Sequence, residues 1–543
     1  WGQVTTEGRE FWLGFMENQD GNVQLEIYLS AKEETKVRIN APLNSFDLEV
    51  DVVPGESSIV QIPTGTFMPT EEGIFPIGLH VTSDKPISVY ALNKRSFSAD
   101  AAVILPINAL GKEYYVTAHY EPDGDRINAA RESNMIIVGV QDGSEVEIIP
   151  STNTYNGLIA GESTVVTLNA GEVYHIKADG DLTGTYVRSV SSDSDDCKNI
   201  AVFGGNVFTN VGGCGDARDH LLEQMFPVST WGKNFMFIPY ESRFGGDYVK
   251  IIAAEDGTEV NISGESVINL DAGEYYINKA LSGVRTVTSN KPISFAQFSR
   301  SRSCDNTQSD PFYILVSPLE QRINKVTFNA FDVEVVDRYY LTLITEAGAT
   351  NNIFLDGSSI SNRFIQVGNA AYASIQISRG NHTLEAEEGV IAFVYGYGDA
   401  ESFGYSAGVA LENLNLKIEG DDEFISVIQD KACLNAEIEF SASFITPAGE
   451  QPRFNTFQWD FGNGDTAEGE SVTYRYNQPG EYEVVLLASD GQGSCGTAEV
   501  VIKQLTVLET EFEKINGPAS VCPDVTGIEY TAVGDDSNTY EWS

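Results

Sequence analysis

The sequence predicts an all-β protein built as a tandem array of β-sandwich modules, with four internal repeats followed by a different sandwich domain. Three observations predict it. The first is recurrence. Gly111-Lys112-Glu113-Tyr114, Asp142-Gly143-Ser144-Glu145-Val146-Glu147-Ile148 and Leu168-Asn169-Ala170-Gly171-Glu172-Val173-Tyr174 return, in the same order, as Gly232-Lys233-Asn234-Phe235, Asp256-Gly257-Thr258-Glu259-Val260-Asn261-Ile262 and Leu270-Asp271-Ala272-Gly273-Glu274-Tyr275-Tyr276. A fixed order at a spacing of about a hundred residues marks repeated modules. The second is period. Val146 and Ile148, like Val260 and Ile262, alternate with polar neighbours, as on a strand with one buried face. The third is composition: 50 Gly, 24 Tyr and 28 Phe supply turns and pleated, half-buried surfaces.

Each module closes on a further signature. Ser83-Asp84-Lys85-Pro86-Ile87-Ser88 reappears as Ser289-Asn290-Lys291-Pro292-Ile293-Ser294, with Asp196-Cys197-Lys198-Asn199-Ile200 and Gly389-Val390-Ile391 as divergent versions. The Lys-Pro pair reads as the opening of a last strand, where a missing N–H costs least. Connectors with Pro follow at Pro106, Pro227 and Pro318. The repeats are therefore placed at 1–110, 111–230, 231–322 and 323–416, as immunoglobulin-like or jelly-roll-like sandwiches; a propeller-like ring of the repeats is the alternative. A short helix is expected only over Asp219–Met225.

A new domain opens near Asp421 and runs over 421–508. Trp459 sits on a core strand, Gly462-Asn463-Gly464 turns a hairpin and Pro479-Gly480 turns the next. Residues 509–543 read as the start of a further module of the same kind, cut short.

The 543 residues carry 33 Lys+Arg against 79 Asp+Glu, a net charge of -46. Such a surface repels phosphate backbones and anionic headgroups, which excludes nucleic acid as a partner. No apolar run is long enough to span a bilayer, so no membrane insertion is expected. The start at Trp1, without Met, is read as the mature end left by signal-peptide removal. Cysteine usage suits an oxidising compartment: Cys197–Cys214 and Cys433–Cys495 are the expected disulfides, the partner of Cys304 is left open but is not Cys522, and Cys522 is expected to pair beyond Ser543.

Catalytic constellations are missing. The five histidines (His80, His119, His175, His220 and His382) show no zinc-ligand spacing, and neither a phosphate-binding loop nor a nucleophile elbow occurs. His220, beside Asp219, reads as a structural residue pinning a connector. Ca²⁺ is the one cofactor the acidity suggests, with candidate loops at Asp123/Asp125, Asp193/Asp195/Asp196 and Asp421/Asp422. Asp460 and Asp465 read as turn caps, and Tyr395 and Tyr397 as core.

Two resemblances follow from these motifs. Asp219-His220-Leu221-Leu222-Glu223-Gln224-Met225-Phe226-Pro227-Val228-Ser229-Thr230-Trp231-Gly232-Lys233, with Ser299–Cys304, Asp310-Pro311 and Pro318-Leu319-Glu320-Gln321, resembles the IgGFc-binding N-terminal domain family over about 100–410. Phe226 stands where that family often has a second Pro. Trp459-Asp460-Phe461-Gly462 and Tyr476–Tyr482 resemble a PKD domain, with Asn463 where that family often has Asp. The combination is similar to long type 9-secreted Bacteroidota surface proteins, gliding adhesins among them. The resemblance implies a secreted, cell-surface adhesin without catalysis. It would bind a glycan, mucin or protein surface and reach the secretion machinery through a C-terminal region outside this chain. A spacer or filament segment and an extracellular polymer hydrolase are the alternatives. Asp465-Thr466-Ala467 is similar to the short O-glycosylation acceptor of that phylum, at Thr466.

Overall fold

A computed structural model describes residues 4–508, apart from 20, 123–131, 192–197, 216, 413, 415, 423–430, 445–453 and 490–498, together with strands Phe512–Asn516 and Thr531–Gly534. The chain divides into two compact units. One comprises the four repeats and the other everything from Leu416, apart from a stretch outside the described residues.

All four repeats share a seven-strand topology, to which the fourth adds the strand Ile365–Val367 and the second adds Gly73–Phe75 from the first. In the first repeat the strands are Glu7–Leu13, Gln24–Ala31, Thr35–Asn40, Asp47–Val52, Ser58–Ile62, Leu79–Arg95 and Ser98–Ile104. The sixth strand is long because it serves two sheets. Its first half pairs with the first and third strands, and its second half with the second and seventh. The third repeat repeats every pairing around Arg285–Phe298, and the fourth around Gly380–Gly398. In the second repeat the sixth strand is split into Tyr186–Val190 and Ile200–Thr209.

This places the Lys-Pro signature differently from the sequence expectation. Lys85-Pro86 and Lys291-Pro292 do not open a last strand. They lie mid-strand, where the sixth strand passes from one sheet to the other and the register with the first strand shifts. A proline is tolerated there because the ladder is already interrupted.

The other recurring motif is a pair of interlocked turns. Gly143 (φ 68°) and Gly257 (φ 66°) occupy the left-handed region. Asp142 Oδ1 accepts from Ala170 N at 3.1 Å while Asn169 Oδ1 accepts from Gly143 N at 3.1 Å. Asp256 and Asp271 make the same exchange with Ala272 N and Gly257 N, both at 3.0 Å. Lys198 and Lys291 each donate to the Asp carbonyl at 2.8 Å. These acids hold turns.

The seventh strands, Ser98–Ile104, Asp219–Gln224, Tyr313–Val316 and Glu401–Gly408, meet at the centre. The first packs on the second and fourth, and the third does likewise. The four sandwiches thus close a ring, so the expected sandwich repeats are also arranged ring-wise, with two-sheet units rather than propeller blades. Thr5 bridges Ala410, and Leu411 N donates to Val4 O at 2.7 Å, joining the two ends of the array. The helix expected over Asp219–Met225 is corrected to strand. Every residue of Asp219–Gln224 is buried, the strand pairs with Phe203–Thr209 with a register shift at His220, and that burial overrides the local helix propensity of Leu-Leu-Glu-Gln.

In the second unit, sheets of three and five strands enclose Trp459, whose Nε1 donates to Gly469 O at 2.8 Å. Asp460 Oδ1 accepts from Gly462 N at 2.8 Å, and Tyr474 Oη donates to Asp465 Oδ2 at 2.5 Å, so both acids brace the hairpin.

Each connector proline presses on a glycine of its own repeat. A Cβ on Gly8, Gly111 or Gly232 would lie 2.3, 2.5 or 2.4 Å from Cβ of Pro106, Pro227 or Pro318. Gly232→Ala is expected to destabilise the protein by about 1–3 kcal/mol, the cost of overpacking. Gly65→Ala, with open space around it, should leave the denaturation midpoint unchanged. Equal midpoints for the two variants would refute this packing.

Candidate functional site: a collar of loops over a buried acidic axis

The ring brings its loops between sixth and seventh strands together at one end. Their contacts run around the full circle. His220 N donates to Ser98 Oγ at 3.1 Å, linking the second repeat to the first. Cys214 is bonded to Cys304 with Cα atoms 4.9 Å apart, and Ser301 Oγ donates to Ala217 O at 2.7 Å, linking second to third. Arg302 lies 3.6 Å from Asp399, and Ser402 Oγ donates to Asp310 O at 2.6 Å, linking third to fourth. Glu401 accepts from the backbone of Phe97 and Ser98, linking fourth to first.

The expected Cys197–Cys214 bond is therefore corrected. Cys214 takes Cys304, 90 residues away in sequence, because packing of the second repeat on the third brings the two loops together. Cys197 lies outside the described residues, as do Cys495, Asp123, Asp125, Asp193, Asp195 and Asp196. Asp421 and Asp422 are not on a loop as expected: they end strand Leu416–Asp422, paired with Glu439 and Ile438. Among the described residues no group of three or more His, Cys, Asp or Glu is placed to hold a metal ion. Thr466 is exposed on a short edge strand, and Tyr395 and Tyr397 are fully buried against Tyr240, Tyr340 and Phe312.

Three exposed side chains stand on the collar. Phe97, 56% exposed, caps the first hairpin; Val335, 46% exposed, abuts Gly398 of the fourth. Both hold φ above 60°, strained for a bulky residue. Phe244, 68% exposed, is fixed over the third loop, its N–H donating to Asp305 Oδ2 at 3.0 Å. Arg243 anchors that segment from below through Asp305 at 2.7 Å, Ser299 Oγ at 2.8 Å and Arg300 O at 2.6 Å.

Beneath the collar lies a set of buried carboxyls. Asp100 accepts from Ala101 N at 2.9 Å and Leu222 N at 3.0 Å, and also from Gly404 and Tyr313. One side chain thus holds N–H groups of all four seventh strands. Glu223 accepts from Leu315 N at 3.4 Å, and Gln224 Oε1 from Leu105 N at 2.8 Å. Burial raises Asp100, Asp219 and Glu223 well above the usual carboxylate range, and the charges of Glu401 and Asp310 add to the effect on Asp219. Burial likewise moves Asp310 to about 7 and Glu401 to about 8. His220 is pushed down to about 4 by burial, with Nδ1 3.3 Å from Val207 O, in keeping with its expected structural role. The sequence reading missed the axis; its one signal is an Asp or Glu within an otherwise apolar or small-residue strand, as in Ser98-Ala99-Asp100-Ala101-Ala102.

Comparison with known proteins places this architecture. The profile of the IgGFc binding protein family matches residues 100–396, more than half of the chain, starting on Asp100 itself. The chain belongs to the IgGFc binding protein family. A PKD domain follows over 425–504, in the expected order. The human IgGFc-binding protein is 23% identical over 423 residues, covering 74% of this chain and 7% of that protein. Collagenase ColA of Clostridium perfringens (strain 13 / Type A) is 29% identical over 102 residues, 19% of this chain and 9% of the enzyme. The chain thus spans less than a tenth of the length of these relatives. Trypsin-activated α2-macroglobulin from Escherichia coli aligns over 96% of this chain and 51% of its own, at 8% identity and a TM-score of 0.16, too low to indicate a shared fold. No helix among the described residues is long and apolar enough to cross a membrane.

The axis makes stability depend on pH. A carboxyl whose folded pKa is raised stabilises the fold fully below its unfolded pKa and loses that contribution as pH rises through the folded value. For Glu401 the window runs from 4.5 to about 8. Glu401→Gln, which keeps an acceptor for Phe97 and Ser98, is expected to gain about 2–4 kcal/mol on the parent between pH 5 and 9. A stability difference that stays constant across that range, by denaturant titration, would contradict this assignment. Separately, Cys214→Ser with Cys304→Ser should lower stability by about 2–4 kcal/mol, read from the same titrations.

Proposed function

We propose that this chain is the non-catalytic binding head and the beginning of the stalk of an extracellular adhesion-type protein, with the collar as its contact face. The observation that carries the reading is the closed circuit of four loops, tied by a disulfide, an ion pair and buried hydrogen bonds, which presents Phe97, Phe244 and Val335 to solvent. Binding residues concentrate on loops that a rigid scaffold positions. Exposed aromatics held in place lose little conformational freedom on contact, and so supply contact area efficiently.

The family and the PKD domain support a location outside the cell. A glycan, a mucin or another surface is the expected target, and attachment of a gliding cell to its substratum is one use for such a head. The repeated Asp-Gly motifs brace turns, and the His220 ring is fully buried with Nδ1 against the Val207 carbonyl, out of reach of a substrate, which favours binding over hydrolysis.

The test uses the whole chain. It is applied to glycan arrays, mucin-coated surfaces and immobilised IgG Fc, the last because the human relative's name specifies that ligand. Binding to at least one surface is expected, falling about tenfold or more in Phe97→Asn with Phe244→Ser. Asn tolerates the backbone at position 97, so folding should be retained. No binding by the parent, or equal binding by a folded double variant, would overturn the collar reading; the first result would leave a spacer role.

A further inference from the structure

We propose that Lys250 and Asp181 are joined by an amide bond, an isopeptide cross-link that the folded chain makes between its second and third repeats. Lys250 lies on Asp247–Ala253, the second strand of the third repeat, and its side chain has no solvent exposure. Asp181 lies between the fifth and sixth strands of the second repeat. The fold does not demand a lysine here: at the register position facing the sixth strand in the same way, the first two repeats have Tyr28 and Ile136.

The reacting groups are already in contact. Lys250 Nζ is 2.5 Å from Asp181 Oδ2, 2.9 Å from Thr183 Oγ1 and 2.8 Å from Ala118 O. Thr183 Oγ1 is in turn 2.6 Å from the other carboxyl oxygen, Oδ1, which also accepts from Thr183 N at 3.0 Å. The rings of Tyr275 and Phe298 stand 5.5 and 5.7 Å from Nζ and shield the amine, while the Asp181 side chain keeps 16% exposure. Burial lowers the basicity of the amine, which favours its neutral, nucleophilic form.

The chemistry balances without a co-reactant. A proton passes from the ammonium to the carboxylate, leaving an amine and a carboxylic acid. Nζ attacks Cγ and forms the C–N bond. Its surplus proton moves to Thr183 Oγ, whose own proton goes to Oδ1. The Cγ–Oδ1 bond breaks as the proton first taken up by Oδ2 passes to the departing oxygen, which leaves as water while Oδ2 becomes the amide carbonyl. Nothing is oxidised or reduced. Two effects drive a condensation that is uphill in bulk water. Fixed proximity replaces a bimolecular encounter. A neutral amide also replaces an ion pair whose lysine is fully buried, a desolvation that Coulombic attraction offsets only in part.

Intact-mass measurement of the purified, fully reduced and denatured whole chain tests the proposal. The expected mass is about 18 Da, one water, below that of the sequence. Digestion should yield a branched peptide containing Lys250 and Asp181. Lys250→Arg keeps a cation at the site but cannot form the bond, and should restore the full mass. Thr183→Val should leave a mixture of linked and unlinked chains, because the relay is gone. A parent chain at full mass, with Lys250 open to an amine-reactive label after denaturation, would show a plain salt bridge and overturn the proposal.

Discussion

Four strands meet at the centre of the ring without pairing into a sheet, and their backbone N–H groups must find acceptors in a place water does not reach. Asp100 answers that requirement. It sits on the first of these strands and takes N–H groups from its own strand and the other three. A buried N–H without a partner costs about as much as a lost hydrogen bond, roughly 1–3 kcal/mol, so a single carboxyl that serves four strands decides whether they can converge. The neighbouring residues are small for the same reason. Ala99, Ala101 and Ala102 flank Asp100, and a Cβ on Gly404 would lie 2.2 Å from the Phe312 ring. The carboxyl is raised well above its ordinary pKa by this burial, so the strands are held by a group shielded from water.

Given that centre, the four interfaces between repeats must differ, or the modules could close in another order. They do differ. First and second meet through Lys177 and Glu17 at 2.7 Å. Second and third meet through Lys250 with Asp181 and through the disulfide. Third and fourth set Tyr240 edge-on against Tyr395 with ring centroids 4.8 Å apart. Fourth and first enclose Tyr90, which donates to Ala407 O at 2.9 Å and Thr327 O at 3.1 Å. A charge facing a tyrosine pocket would be buried unpaired, so the chemistry of each joint excludes the wrong neighbour.

Much of this was legible in the sequence, and the part that was not has a common cause. Period-2 alternation, turn glycines and the recurring Asp-Gly and Ala-Gly-Glu segments report local structure, so the sandwich repeats, the PKD core around Trp459 and the turn-capping Asp460 were all readable. Tyr395 and Tyr397 were readable as core because alternate aromatics on a strand face inward. Ring closure is not local. The Cys214–Cys304 pairing joins consecutive repeats, the strand at Asp219–Gln224 is fixed by burial among the other seventh strands, and Asp100 gathers N–H groups that come together only when the fourth repeat returns to the first. The Lys-Pro signature was visible as a motif but not as a changeover between sheets. A pattern of residues does not show that one strand serves two sheets.

Closure also explains why the collar suits recognition better than any single loop would. An isolated hairpin carrying Phe97 in a left-handed backbone conformation would relax, since the strain has no local compensation. Here Glu401 of the fourth repeat accepts from the backbone of Phe97 and Ser98, and His220 of the second donates to Ser98. The hairpin is held from both sides by neighbours that exist only in the ring. Phe244 depends in the same way on Asp305 and Arg243, next to a disulfide that joins two repeats. The exposed groups are therefore ordered before any partner arrives, and their ordering is sustained by the closure that Asp100 makes possible.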